Sequence, residues 1–190
     1  HNIESVPFWR KYLFTHAVVP GPNVNVRGAA DQALRLLRKI GINTEDIIPR
    51  LWISDSVRDR ARKILIDEKI DGLKKWITIN PFSRWQYKEW NDHKWAEIIT
   101  WLWSELAISS VIVGSPEEKL KADALIRQCK AKVYNFAGKT TLAELAYVLS
   151  LSRLNVGVDS AAPHIAAATG TPTVTIYGPS SWKDWAPTGD

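Results

Sequence analysis

Residues 156–174 constrain the fold most. A β-branched run at Val156 and Val158 passes through a turn carrying Asp159 and Ser160 into a short Ala-rich helix. Gly170 ends that helix, and a second strand begins near Val174. A strand, a short helix and a strand joined by tight turns belong to a parallel α/β sheet. There, the turn after a strand's carboxyl end opens a helix whose first N–H groups lack partners and collect ligands. Asp159 and Ser160 stand where a helix N-cap and an anion site would coincide. Both residues are favoured N-caps whatever the ligand, so capping accounts for the turn equally well. His164, one turn into the helix, can point back toward the same crevice or serve as an ordinary core or surface histidine.

The rest of the chain repeats this alternation. Strands are expected at 76–80, 111–113, near Val133, at 154–158 and at 174–177. Helices are expected at 26–40, from Ser54 through the charge-rich stretch to Lys69, and at 94–106, 117–129 and 141–151. Such alternation predicts an α/β fold: a Rossmann-like parallel sheet with helices on both faces and a site at the strands' carboxyl ends. Residues 1–25 hold Pro7, Pro20, Gly21 and Pro22 without a regular pattern, and read as a linker or the remnant of another domain. Residues 26–190 read as the folded domain. The chain opens at His1 and contains no Met, so a fragment of a larger fold is expected.

Composition narrows the function classes. Lys and Arg number 25 against 20 acids, with a sequence pI near 9.3, which permits phosphate-bearing partners or an anionic membrane surface. The basic residues are dispersed, without an aromatic-basic repeat, so no nucleic acid partner is expected. The single cysteine, Cys129, excludes an internal disulfide and gives no metal cluster; packing on a helix and a reducing compartment are expected. No run approaches a transmembrane span, so membrane contact would be peripheral.

Two loops carry candidate chemistry. Asn80-Pro81-Phe82-Ser83-Arg84-Trp85-Gln86-Tyr87-Lys88-Glu89-Trp90 combines a hydroxyl, two cations and exposed-looking aromatics. Its backbone N–H groups and Lys88 suit a phosphate, although solvated cations on an aromatic loop would look the same. Trp95, Trp101 and Trp103 fall on a helix, as core or domain-contact residues. In Gly114-Ser115-Pro116-Glu117-Glu118, capping by Ser115 and dipole-matched acids explain the segment, while a carboxylate holding a ribose diol is the functional alternative. Gly138-Lys139-Thr140 is no P-loop, because the position five before Gly138 is Val133. The chain also lacks GxGxxG after a strand, HExxH, GxSxG and metal-site histidine spacing.

Taken together, four motifs in order resemble the lipopolysaccharide heptosyltransferases, the ADP-heptose-using GT-B enzymes of glycosyltransferase family 9. They are most similar to the subgroup called heptosyltransferase III. The motifs are the loop 80–90, the segment 113–118, Ala137-Gly138-Lys139-Thr140-Thr141-Leu142, and Gly157-Val158-Asp159-Ser160-Ala161-Ala162-Pro163-His164 continuing to Val174. Tyr177-Gly178-Pro179-Ser180-Ser181-Trp182 and Trp185-Ala186-Pro187 extend them to cover the chain from about Val26 onward.

The resemblance implies the C-terminal, nucleotide-sugar-binding half of a GT-B enzyme. It further implies that Ser83 and its loop hold the donor pyrophosphate, and that Lys88 acts catalytically by neutralising the departing phosphate. Glu118 would take the ribose hydroxyls, and the 138–142 segment, through Thr140 and Leu142, would border adenine. Asp159, Ser160 and Ala161 would meet heptose and phosphates, with His164 supporting their turn. Many family members have Gly where this chain has Ala161, which implies a slightly wider backbone approach. The resemblance implies no metal and no cofactor beyond the ADP-heptose substrate. The acceptor would be the lipopolysaccharide core at the cytoplasmic face of the inner membrane, and the general base would lie in a missing N-terminal domain. Other nucleotide sugars or acceptors, or a non-catalytic binding domain of the same fold, are the alternatives.

Overall fold

The computed structural model describes residues 28–70, 72 and 75–189. The expected linker at 1–25 lies outside the described residues. At the centre is a five-stranded, wholly parallel sheet in the order β3-β2-β1-β4-β5. The strands are β1 (Trp76–Asn80), β2 (Ser109–Ile112), β3 (Val133–Asn135), β4 (Asn155–Val158) and β5 (Thr173–Ile176). The helices are α1 (Gly28–Lys39), α2 (Asp55–Asp67), α3 (Asp92–Leu106), α4 (Lys119–Ile126), α5 (Leu142–Leu151), α6 (Ala161–Ala168) and α7 (Trp182–Trp185).

The alternation of side chains along each strand builds two cores. Ile77, Ile79 and Ile112 face α3 and α4, meeting Trp95, Ile99, Ala122 and Leu125. Trp76 and Val111 face the other way, meeting Leu65 of α2, Val148 of α5 and Ala162 of α6. Helices therefore cover both faces, as the alternation predicts. On α3 the buried Trp95 and Ile99 lie one turn apart, Trp101 falls on the opposite side, and Trp103, a turn beyond Ile99 near the helix end, is exposed as well, so both stand outside this core.

Several boundaries differ from the sequence expectation for local reasons. β2 starts at Ser109, because Ser109 and Ser110 pair in register with Trp76 and Ile77 despite their polar side chains. α3 starts at Asp92, capped by Asn91, whose side chain accepts the His93 N–H. The expected helix 117–129 is a 3-10 turn (Pro116–Glu118) followed by α4, which ends at Ile126. Cys129 thus lies past the helix, half-buried, with burial pushing its thiol up to about 11.

Chain order runs outward from β1 through β2 to β3, then returns to β4 on the other side of β1. The resulting switch point leaves a crevice above the carboxyl ends of β1 and β4. These two strands are locked together below it by buried polar groups. Thr78 donates its N–H to Ser152 Oγ at 2.9 Å, and Asn155 Nδ2 donates to Thr78 Oγ1 at 3.0 Å. At the top of the crevice Gly157 pairs with Asn80. A Cβ at Gly157 would stand 2.8 Å from the Asn80 carbonyl oxygen, so only glycine admits this approach.

Candidate active site

The crevice opens into a cavity of about 610 Å³. Ser83, Lys88, Glu118, Thr140, Leu142, Asp159, Ser160, Ala161 and His164, which the motifs single out, all line it. They arrive from the loops after β1, β2, β3 and β4.

Lys88 ends the 3-10 turn Gln86–Lys88, closed by Lys88 N–H donating to the Trp85 carbonyl at 2.9 Å. Its Nζ donates to Asp159 Oδ2 at 2.6 Å, across 71 residues of sequence. Asp159 is buried, so this ion pair is well shielded from solvent. Its backbone N–H donates to the Ile176 carbonyl at 3.2 Å, fixing the turn to β5. Gly178, just past β5, lies with its Cβ direction 3.4 Å from the Tyr87 carbonyl, so the β5 end also abuts the Lys88 turn.

Ser160 does not cap α6. It is extended (φ −157°, ψ −166°) and its side chain makes no capping bond; its Oγ donates instead to Asn80 Oδ1 at 2.7 Å. The first N–H groups of α6 thus have no side-chain cap where Ala161 and Ala162 line the cavity. A helix start left open in this way attracts negative charge.

The Ser83 loop is less open than its composition suggests. Ser83 N–H donates to Glu89 Oε1 at 3.1 Å, and Trp85 N–H donates to Ser83 Oγ at 3.3 Å. Two of the loop N–H groups expected to hold phosphate are therefore already satisfied within the loop. Glu89 also accepts from Lys121 Nζ at 3.3 Å and 3.4 Å, bracing the loop against α4.

At the opposite wall, Glu118 Oε2 accepts the Ser115 N–H at 2.7 Å, closing the turn that opens α4. The capping reading of this segment holds, and Glu118 faces the cavity as well. Gly138 has φ +75°, and a Cβ there would come within 2.7 Å of Pro116 Cα. This glycine lets the 138–142 segment pack on the Ser115 turn. Thr141 caps α5, with its hydroxyl accepting the Glu144 N–H at 3.3 Å and Glu144 accepting the Thr141 N–H at 2.8 Å. Leu142, just inside α5, keeps an exposed apolar side chain at the cavity rim.

Burial holds His164 below its ordinary pKa, and the Asp159 carboxylate partly opposes that shift. Burial, aided by the Asp159 charge, pushes the Tyr177 phenol up to about 12. Tyr177 donates its hydroxyl hydrogen to the Trp185 carbonyl at 3.1 Å, tying α7 to the site's edge. Among the described residues no cluster of three or more His, Cys, Asp or Glu could hold a metal ion.

Sequence reading passed over Asn80, which positions Ser160, and Glu89, which braces Ser83. An Asn closing the otherwise apolar run Trp76-Ile77-Thr78-Ile79 was the available signal for the first. Glu89 carried none, since its partners come from the far end of its own loop and from another helix.

The chain is similar to known proteins in sequence and in fold. The profile of glycosyltransferase family 9 (heptosyltransferase) matches residues 9–190. Lipopolysaccharide heptosyltransferase 3 of Escherichia coli is 29% identical over 199 residues, covering 98% of this chain and 54% of that protein. Lipopolysaccharide heptosyltransferase 2 of Salmonella typhimurium is 32% identical over 145 residues, covering 73% and 41%. The chain thus spans about half the length of the curated relatives it matches. Among solved structures, a glycosyl transferase family 9 protein from Veillonella parvula has a TM-score of 0.74 at 22% identity, covering 88% of this chain and 49% of that one. E. coli ADP-heptose lps heptosyltransferase II has a TM-score of 0.65 at 24% identity, covering 76% and 44%. At those identities the structures show the shared fold, and the profile match across nearly the whole chain shows the lineage: the chain belongs to glycosyltransferase family 9, the heptosyltransferases.

Proposed function

We propose that residues 26–190 form the C-terminal, donor-binding half of a GT-B heptosyltransferase that moves heptose from ADP-heptose onto the lipopolysaccharide inner core. The observation that carries this reading is the convergence of loops from four strand ends on one cavity, with a lysine and an open helix start meeting beside Asp159.

The chemistry follows from charge development. When the bond between the sugar's anomeric carbon and the phosphate oxygen breaks, negative charge builds on the departing ADP. Lys88 and the uncapped N–H groups of α6 are aimed at the region where that charge would form, and they require no reorganisation at that moment. Glu118, already held by Ser115, offers a fixed carboxylate for the ribose hydroxyls. Thr140 and Leu142 supply a partly apolar wall for adenine. Asp159 orients Lys88 and meets the sugar side, with Ser160 and Ala161 beside it and His164 supporting the turn. No divalent ion is required in this scheme.

The acceptor's general base is assigned to the N-terminal domain that family members carry, so residues 26–190 bind donor without turnover on their own. The half-length coverage of the curated relatives supports this division. The acceptor is the lipopolysaccharide core, reached by peripheral contact at the cytoplasmic face of the inner membrane. Among the described residues no helix is long and apolar enough to cross a membrane.

Calorimetric titration with ADP and UDP tests the reading. ADP should bind in preference to UDP, and Lys88→Ala should weaken ADP by at least about tenfold, the loss of a charge-assisted contact. Equal binding of both nucleotides would point to a different nucleotide sugar, and binding of neither would favour a non-catalytic domain.

A further inference from the structure

We infer that Arg84 is a second donor-binding cation: its guanidinium, held over the Trp85 ring at the cavity mouth, contacts the diphosphate of the bound nucleotide. This rests on the donor-site reading above and follows from the charges that line the cavity. Two cations, Arg84 and Lys88, and two carboxylates, Glu118 and Asp159, face it. Burial disfavours the charged form of His164, so it is not counted among the cations here.

Lys88 is already matched by Asp159 at 2.6 Å, so the pair presents little net charge. A nucleotide diphosphate brings a negative charge on each phosphate into a crevice that is electrically balanced as it stands. Nearby lysines offer no relief. Lys121 is engaged by Glu89, Lys139 is paired with Glu68, and neither lines the cavity. Of the cavity-lining cations, Arg84 alone has no carboxylate within ion-pair distance among the described residues.

Its placement suits the task. The guanidinium carbon lies 5.6 Å from the Trp85 ring centroid, and Trp85 in turn stacks on Tyr87 with centroids 6.0 Å apart and planes 27° apart. A cation–π contact of this kind restrains the guanidinium without consuming its N–H donors, leaving them for paired phosphate oxygens. It also gives the exposed Trp85 and Tyr87 a function beyond surface decoration. The adjacent Ser83 loop has its Ser83 and Trp85 N–H groups already satisfied, so a side-chain cation supplies what those groups do not.

The test is calorimetric titration of the full chain and its Arg84→Gln, Arg84→Lys and Trp85→Phe variants with ADP and with adenosine, at low and moderate ionic strength. Arg84→Gln should weaken ADP by about tenfold, leave adenosine unchanged, and flatten the salt dependence of ADP binding. Arg84→Lys should recover part of the loss as a point charge without the fork, and Trp85→Phe should retain most of the affinity. Unchanged ADP binding in Arg84→Gln would overturn the inference, and would leave the guanidinium for a phosphate on the acceptor. Equal weakening of ADP and adenosine would overturn it too, by showing that Arg84 only supports the loop. A wild-type chain that binds no ADP sinks the donor reading and this inference together, whereas wild-type binding with an indifferent Arg84→Gln sinks the inference alone.

Discussion

A carboxylate as buried as Asp159 needs a partner, and Lys88 provides it from the loop that follows the neighbouring strand β1. The same pairing holds Lys88 beside the turn that opens α6. His164, one turn further along, lies close enough to feel Asp159, yet burial outweighs that attraction and depresses its pKa from 6.5. The sign of the consequence is fixed. In the unfolded chain histidine takes up a proton near pH 6.5, whereas folded His164 resists it until lower pH. The unfolded state therefore binds more protons below about pH 6.5 and stability falls as acid is added through that window. Urea midpoints should drop between pH 7 and pH 5, and His164→Gln should flatten the decline. Glu144 and Glu117, whose pKa values lie below the ordinary 4.5, lose their contribution only at more acidic pH and leave the His164 window clear. A decline that persists unchanged in the variant would assign it elsewhere.

At the scale of elements, the wall opposite Lys88 is held from behind by α2. Arg60 Nε donates to Glu144 Oε1 at 3.0 Å, and Glu68 pairs with Lys139, so two ion pairs bracket the 138–142 segment. The cap and the ion pair contribute unequally. Thr141→Ala removes a helix cap and should cost about 1 kcal/mol, while Arg60→Ala breaks a pair whose arginine side chain is 58% exposed and should cost about 0–1 kcal/mol. Denaturant unfolding of both variants checks the ordering; a larger loss from Arg60 would mean that α2, rather than the cap, sets the α5 start. The apolar run of α5 was readable directly, with Thr141 expected inside the helix that it in fact caps, and so were β1 and the Ala-rich α6, because each is announced by local pattern. β2's serines concealed its start, since register with Trp76 and Ile77 decides strand membership there. The Ser160 side chain looked like a cap and instead reaches Asn80, a partner 80 residues away that no local rule supplies. Asp159 was singled out by its turn after a strand and Lys88 by the makeup of its loop, but their pairing is a product of strand order, which alternation alone does not dictate.

The whole molecule gathers its cavity from loops after β1, β2, β3 and β4, and the end of β5 packs against the Lys88 turn. A ligand seated there spans the switch point and touches segments that the sheet holds on both sides of β1. Binding should therefore protect them together rather than one at a time. With ADP at about a hundredfold its Kd, linkage adds about 2.7 kcal/mol to folding stability, which for a chain of this size raises Tm by about 5–10 °C. Amide hydrogen exchange should slow in 83–88, 115–118, 138–142 and 159–164 in the same titration, while the far ends of α2 and α5 change little. Protection confined to the 138–142 wall would mean that the nucleoside binds without engaging Lys88 and the α6 start. In that case the diphosphate would project into solvent, and these residues would not be positioned to assist its departure. Protection of all four segments would mean that the ion pair and the open helix start are engaged before any acceptor arrives, leaving the missing contribution to catalysis on the acceptor's side.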